Sequence, residues 1–322
     1  MSQRAILVSG ASGFIGRAVT ARLAEAGAEV VVALRRPRAV SDAIPGAARA
    51  IEAGDLAAPD PALANAMRGV GTVIHAAGLA HRTGVDPAAL AAANVTAAAR
   101  VAEIAASRGV ARFVLISSAA VFGKTRDGVF TEASEPRPDD AYAHSKLAGE
   151  VAVRAVLAGT ATRLVIVRPC AVIGPGCSGN IPRLARLIGR GLPLPFGAIR
   201  NARSFISIGD LAGMIGAAAS ADDPPDLVIA AHPDPISTPD LIRALARGLG
   251  RRAVLVPAPA SLLGAAARAA GKGALWRSFA GSFRADAALA RDRLGFITAT
   301  PVATALEITG ASLAASLAVS LR

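Results

Sequence analysis

The sequence predicts an α/β fold: a doubly wound parallel sheet with a smaller C-terminal α/β domain for substrate. Three observations carry this. A short apolar strand runs straight into a glycine-spaced turn and a helix. Apolar runs of strand length then alternate with helical stretches as far as residue 168. Beyond Pro169 the texture changes to Gly- and Pro-rich loops between short helices. The expected domains are residues 1–168 and 169–322, with some segments of the second returning to the sheet.

Arg4 to Ser9 is the first strand, and the glycines that follow stand at 10, 13 and 16. In a strand–turn–helix setting, Gly10 permits the tight turn, Gly13 lets backbone approach a pyrophosphate, and Gly16 lets the helix pack on the strand. This is a dinucleotide-binding turn of the Rossmann type, with Ser12, Phe14 and Ile15 as further expected cofactor contacts. The second strand, Glu29 to Leu34, ends in Leu34-Arg35-Arg36, where an NAD-binding protein usually carries an acid for the ribose 2′-hydroxyl. Two guanidiniums suit a 2′-phosphate instead. NADP(H) is therefore favoured and NAD(H) possible; a solvated basic loop is the alternative.

Asp55 and Leu56 follow a short third strand, where Asp55 either contacts adenine or caps a turn. The fourth strand, Gly71 to Gly78, ends in Ala76 and Ala77, small enough for a cofactor to lie across the strand tips. Residues 86–107 read as a long helix whose Asn94 reaches the loop beside the cofactor. Arg112 to Ser117 is a fifth, buried strand leading into Ser118, and Arg163 to Arg168 is a sixth. Between them lies a helix carrying Tyr142, the chain's one tyrosine, and Lys146. Further on, helices are expected at 180–190, 209–220, 238–249 and 258–270, with strands near 227–230 and 253–256.

Positions i and i+4 share a helix face, so the phenol of Tyr142 and the ammonium of Lys146 point the same way. A fixed positive charge beside a phenol, which titrates near ~10 when free, favours the phenolate. That pairing suits a proton donor and acceptor for a carbinol or carbonyl oxygen.

Composition narrows the alternatives. With 53% hydrophobic and 18% charged residues the chain is globular, not disordered. No uncharged run approaches the ~20 residues that span a bilayer, and the N-terminus reads as strand and not as a signal peptide. No membrane span and a cytoplasmic location are expected. Two cysteines and four scattered histidines fit neither a disulfide framework nor a metal site. The net charge is +12, but the arginines are spread along the chain and aromatic residues are 3%, so no nucleic-acid partner is expected. A basic surface that draws in anionic nucleotides is the preferred reading.

Gly10/Gly13/Gly16, Ser118-Ala-Ala-Val-Phe-Gly123 and Tyr142-x-x-x-Lys146, in that order, resemble the extended short-chain dehydrogenase/reductases, in their nucleotide-sugar epimerase/dehydratase branch. The resemblance covers essentially the whole chain. It implies that Ser118 hydrogen-bonds the reacting sugar oxygen, Tyr142 is the acid/base, and Lys146 binds the nicotinamide ribose. It implies too that Asn180 and Arg203 hold a uridine diphosphate, Phe196 flanks the uracil, and helices 86–107 and 140–157 form a homodimer. Arg203 as a surface residue and Phe196 as core packing are the alternatives. Ala171 departs from the pattern, since many epimerases carry Asn there.

Pro-Leu-Pro-Phe-Gly at 193–197 and Asn-x-Arg-Ser at 201–204 look most like bacterial polysaccharide-pathway members. Among these are NADP(H)-dependent reductases of UDP-4-keto-6-deoxy-N-acetylhexosamines, which form UDP-N-acetylquinovosamine, and UDP-sugar 4-epimerases with bound NAD. The missing acid at Leu34 favours the reductase. A catalytically silent nucleotide-binding protein would not need Ser118, Tyr142 and Lys146 together.

Overall fold

Adjacent apolar residues in successive strands, Leu7/Val8, Val31/Val32, Val73/Ile74 and Phe113/Val114, are all buried. Burial on both faces is the mark of a parallel sheet covered by helices on each side. The computed structural model describes residues 5–35, 44–58, 60–80, 85–125 and 128–319 and has that architecture. The main sheet comprises β1 (Ile6–Ser9), β2 (Val30–Leu34), β3 (Arg49–Glu52), β4 (Thr72–His75), β5 (Arg112–Ile116), β6 (Arg163–Pro169) and β7 (Leu227–Ala230). These seven strands are all parallel, in the order β7-β6-β5-β4-β1-β2-β3. Strand order reverses beside β1, so a crevice opens between the ends of β1 and β4, where dinucleotides lodge in such sheets.

On one face, Val8, Val32, Ile74, Val114 and Val165 meet Val19 and Leu23 of helix Phe14–Glu25 and Leu211, Met214 and Ile215 of helix Ile208–Ser220. On the other, Leu7, Val31, Val73 and Phe113 meet Val101 and Ala102 of helix Pro87–Ser107 and Val153 and Leu157 of helix Ala141–Leu157. Each such buried Val, Leu or Phe contributes about 1.5–3 kcal/mol over its exposed state. By length and composition Pro87–Ser107 is apolar enough to cross a membrane. Here its apolar side, Ala98, Val101, Ala102 and Ala105, is spent on the sheet.

The chain beyond 169 divides its residues between two places. Helix Ile208–Ser220 and β7 complete the main sheet layer. Ile173, Leu184, Leu241, Leu245 and Leu306 form a separate core, against which Phe14 of the glycine turn also packs. That core therefore touches the turn expected to hold a cofactor. Ala171–Ile173 pairs in parallel with Phe205–Ser207 as a small sheet in this half.

The strand expected near 253–256 is reduced to a single bridge from Leu255 to Leu194. The reason is proline: Pro193 and Pro195 flank Leu194 and Pro257 follows Val256, which removes the donors a longer ladder needs.

Candidate active site

The glycine turn has the shape expected of it. Gly10 has φ +73°, and a Cβ there would lie 2.4 Å from the backbone nitrogen of Ala77. At Gly16 a Cβ would meet the Gly10 carbonyl at 2.2 Å, so helix Phe14–Glu25 reaches β1 only without a side chain. Gly13 caps that helix in extended conformation, and no side chain caps its first turn. Free N–H groups at a helix start receive phosphate oxygens. Ser12 and Gly13 are exposed, Phe14 and Ile15 half-buried, and Ala76 and Ala77 close the turn from the end of β4. These residues fit a dinucleotide pyrophosphate.

At the far corner, Arg35 is exposed at the end of β2, and Arg36 lies outside the described residues. Asp55 is exposed and accepts a hydrogen bond from the Ala57 amide at 3.0 Å, the geometry of a turn cap. Leu56 packs against the core.

Asn94 is buried in a π-helical turn, Ala92–Thr96, which widens helix Pro87–Ser107 in its middle. Such turns recur at functional sites because they re-aim side chains. The side-chain Oδ1 of Asn94 accepts from the Leu79 amide at 3.0 Å, and its Nδ2 donates to the Leu79 carbonyl at 3.2 Å and to Ser145 Oγ at 2.9 Å. Ser145 in turn donates to the Tyr142 carbonyl at 2.8 Å. Asn94 thus ties the loop after β4 to the helix that carries the tyrosine.

Ser118 follows β5 in extended conformation, and its Oγ accepts the Ala120 amide at 3.1 Å. Its hydroxyl also hydrogen-bonds the Tyr142 phenol. One turn along the same helix, Lys146 donates from Nζ to the Ile116 carbonyl at 3.0 Å. The three expected residues therefore converge at the ends of β5 and helix Ala141–Leu157.

Their electrostatics differ from the expectation. Burial pushes the Tyr142 phenol above its ordinary value, the Ser118 hydrogen bond works in the opposite direction, and the Asp140 carboxylate raises it further. Lys146 is not among the charges acting on it. Burial instead brings the lysine down to about 8, opposed by Glu150. Tyr142 is accordingly held in its protonated form near neutral pH.

Beneath this group lies a buried network that no motif announced. Glu150 accepts from Ser117 Oγ, from Arg168 Nε at 2.9 Å and from Arg168 Nη2 at 2.6 Å. The Arg168 guanidinium lies 4.9 Å from the Phe122 ring centre. All three polar residues are at most 5% exposed. His75, also buried, shares a hydrogen bond of 2.8 Å between Nδ1 and Ser9 Oγ, while its Nε2 has no partner among the described residues. Burial, together with the charge of Lys146, lowers His75 to about 3. The one signal for these residues was polarity within apolar elements: Glu150 and Arg168 in a core helix and strand, His75 in β4.

On the substrate side, Asn180 opens helix Asn180–Gly189. Arg203 is half-buried; its Nη1 donates to the Gly281 carbonyl at 2.8 Å, and among the described residues no carboxylate pairs with it. Phe196 packs with Trp276 and Phe279, at ring-centre distances of 6.4 and 5.6 Å.

Residues 6–230 match the NAD dependent epimerase/dehydratase family. The chain belongs to that family. Among its relatives is a UDP-glucose 4-epimerase of Vibrio cholerae, 29% identical over 305 residues that cover 91% of this chain and 90% of the relative. Another is a dTDP-6-deoxy-L-talose 4-dehydrogenase (NAD(P)(+)) of Kitasatospora kifunensis, 33% identical across 68% of this chain and 71% of its own. Among solved structures, MoeE5 in complex with UDP-glucose and NAD superposes with a TM-score of 0.76 at 28% identity, covering 97% of this chain and 99% of that one. This epimerase/dehydratase is therefore a nucleotide-sugar oxidoreductase or epimerase on a Rossmann sheet, with a nicotinamide dinucleotide as its cofactor.

Two stability predictions come from the buried groups. Arg168→Met strands the Glu150 carboxylate and is expected to cost about 3–5 kcal/mol in urea unfolding, whereas Glu150→Gln with Arg168→Met recovers most of it. A single-mutant cost below about 1 kcal/mol would mean the pair is hydrated. For His75, the folded value lies below the unfolded one, so its stabilising contribution is complete above pH ~6.5 and lost as pH falls toward about 3. The slope is on the order of 1.4 kcal/mol per pH unit. Urea midpoints of His75→Gln measured between pH 7 and 5 should fall less steeply than those of the wild type.

Proposed function

We propose that this enzyme reduces the C4 carbonyl of a UDP-4-keto-6-deoxy-N-acetylhexosamine with NADPH, the step that forms a UDP-N-acetylquinovosamine-type sugar. The observation that carries oxidoreduction at a sugar oxygen is the Ser118–Tyr142 hydrogen bond at the end of β5, with Lys146 one helical turn away. A phenol is protonated near neutral pH and burial moves Tyr142 further in that direction, so Tyr142 holds the proton that a carbonyl oxygen takes up on reduction. Ser118 orients that oxygen by a second hydrogen bond. The nicotinamide cofactor, when bound, supplies the hydride.

Gly10, Ser12, Gly13, Phe14, Ile15 and Gly16 would hold its pyrophosphate, Ala76, Ala77 and Asn94 its middle, and Asp55 and Leu56 its adenine end. Lys146 would hold the nicotinamide ribose. Leu34 in the place of a strand-end acid, followed by Arg35 and Arg36, supports a 2′-phosphate and hence NADP(H). Arg203, half-buried and without a carboxylate partner among the described residues, supports an anionic ligand such as a diphosphate, since its fork matches phosphate oxygens. Asn180 and Phe196 belong to the same proposed subsite.

A second reading, 4-epimerisation with retained NAD, is favoured by the near full-length similarity to the Vibrio cholerae epimerase. Incubating the purified enzyme with UDP-sugars and UDP-4-keto-6-deoxy sugars separates the two. A reductase consumes NADPH in step with product; an epimerase interconverts C4 epimers with no added reductant. Tyr142→Phe should bind cofactor normally and lose turnover by roughly 10²–10⁴-fold; full activity in that variant removes Tyr142 from the mechanism. In the same assay, Arg35→Ser with Arg36→Ser should weaken NADPH far more than NADH, and an equal effect on both refutes the 2′-phosphate assignment.

Dimerisation through the outer sides of Pro87–Ser107 and Ala141–Leu157 is part of this proposal, and Val151 is exposed on the second of these helices. Light scattering at micromolar concentration is expected to give twice the chain mass; a monomer alone would rule the dimer out.

A further inference from the structure

The arginines that look scattered in sequence are not scattered in the fold. Residues 170–209 and 241–285 contain no Asp or Glu and thirteen Arg or Lys. The whole chain has 35 basic and 23 acidic residues, so everything else holds 22 basic against 23 acidic. The full net charge of +12 therefore resides in these two segments. They come together in space: Leu194 bridges to Leu255, and Ile173, Leu184, Leu194, Leu241 and Leu245 share one core.

The same two segments carry apolar side chains that the fold leaves uncovered. Leu187, Leu192, Val254, Val256, Leu262 and Leu275 are 37–66% exposed, and outside these segments exposed large apolar residues are few among the described residues. Leu262 and Leu275 sit on a hairpin of two helices, Ala260–Ala269 and Gly273–Ala280. Arg268 and Arg277 both lie beside Gly273 at its turn, with Lys272 next in sequence. These three cations are exposed and, like Arg251, Arg252, Arg183 and Arg190, have no ion pair among the described residues. Arg243 and Arg247 differ, being paired with Asp240 and Glu307.

We infer that this basic surface docks on an anionic lipid bilayer, which places the enzyme at a membrane face without spanning it. Exposed leucines and valines between unpaired cations match a headgroup layer, where anionic lipids take the charge and the acyl boundary takes the apolar side chains. A polynucleotide would use the charge but leave the leucines in water, and aromatic stacking platforms are scarce. A second copy of the same surface would bring like charges together.

The test is flotation of the full chain with phosphatidylcholine vesicles, alone or mixed with phosphatidylglycerol, at low and high salt. Binding is expected with the mixed vesicles only, and to weaken as salt screens the charges. Arg268→Glu with Lys272→Glu and Arg277→Glu should weaken it by about a hundredfold or more, at about a tenfold or less per cation removed. Leu262→Gln with Leu275→Gln should weaken it at unchanged salt dependence. As a control, Arg22→Glu with Arg49→Glu and Arg68→Glu reverses three exposed cations elsewhere and should leave binding within a fewfold of wild type. No flotation with mixed vesicles overturns the inference. So does equal loss in the control variant, or binding to duplex DNA in preference to vesicles.

Discussion

One buried carboxylate, Glu150, joins the parts of the site that the sheet alone would leave independent. It lies on helix Ala141–Leu157 and accepts from Ser117, at the end of β5, and from Arg168, near the end of β6. The helix that carries Tyr142 and Lys146 is thereby fixed against the strand end that carries Ser118. Its charge also opposes the lowering of Lys146 that burial produces. A buried ion pair is a poor source of net stability, because desolvation offsets most of the attraction. Its use here is positional: removing either partner leaves a charge that the core cannot solvate, so the arrangement has no close competitor.

A second fixture works on the same stretch of that helix, at the residue before Glu150. Gly149 lets the helix approach until a Cβ would lie 2.2 Å from the Asn94 carbonyl. The π turn at Ala92–Thr96 turns the Asn94 amide away from the helix ladder, toward Leu79 and Ser145. Two polar side chains thus fasten the tyrosine's helix, Glu150 to the strand ends and Asn94 to the neighbouring helix. Neither touches the reacting atoms in the proposed chemistry. The phenol itself is held by burial and by Ser118, and its raised value suits an acid waiting for a carbonyl oxygen.

What could be read in the sequence divides along a physical line. Local constraints were legible: Gly10 and Gly16 follow from steric limits within a few residues, and Tyr142 and Lys146 from helical spacing. The main sheet was legible because each strand announces burial by its own apolar run. Glu150 with Arg168 was not, since the partners stand 18 positions apart and neither belongs to a motif. Nor was the shift on Tyr142, where desolvation, a property of the whole environment, sets the direction and the Ser118 hydrogen bond and the Asp140 carboxylate act beside it. The 253–256 segment has the composition of a strand, but a strand also needs a partner with free N–H groups, and the prolines around Leu194 withhold them.

The charge distribution shows the same division from the other direction. Read along the chain, arginines spread over many short segments dilute into a general basic balance. Folding sorts them, and the sorting separates two kinds of cation. Arg203 is half-buried, so its field is little screened by salt and acts over a few ångströms on whatever anion enters beside it. Arg251, Arg252, Arg268, Lys272 and Arg277 are exposed, so each alone is weak and screened within about 8–10 Å. Exposed charges act strongly only as a group, on a partner that presents many negative charges at once. A nucleotide diphosphate needs the first kind of cation and gains little from the second. The exposed group is therefore larger than the proposed substrate requires, and it surrounds leucines that the substrate does not explain.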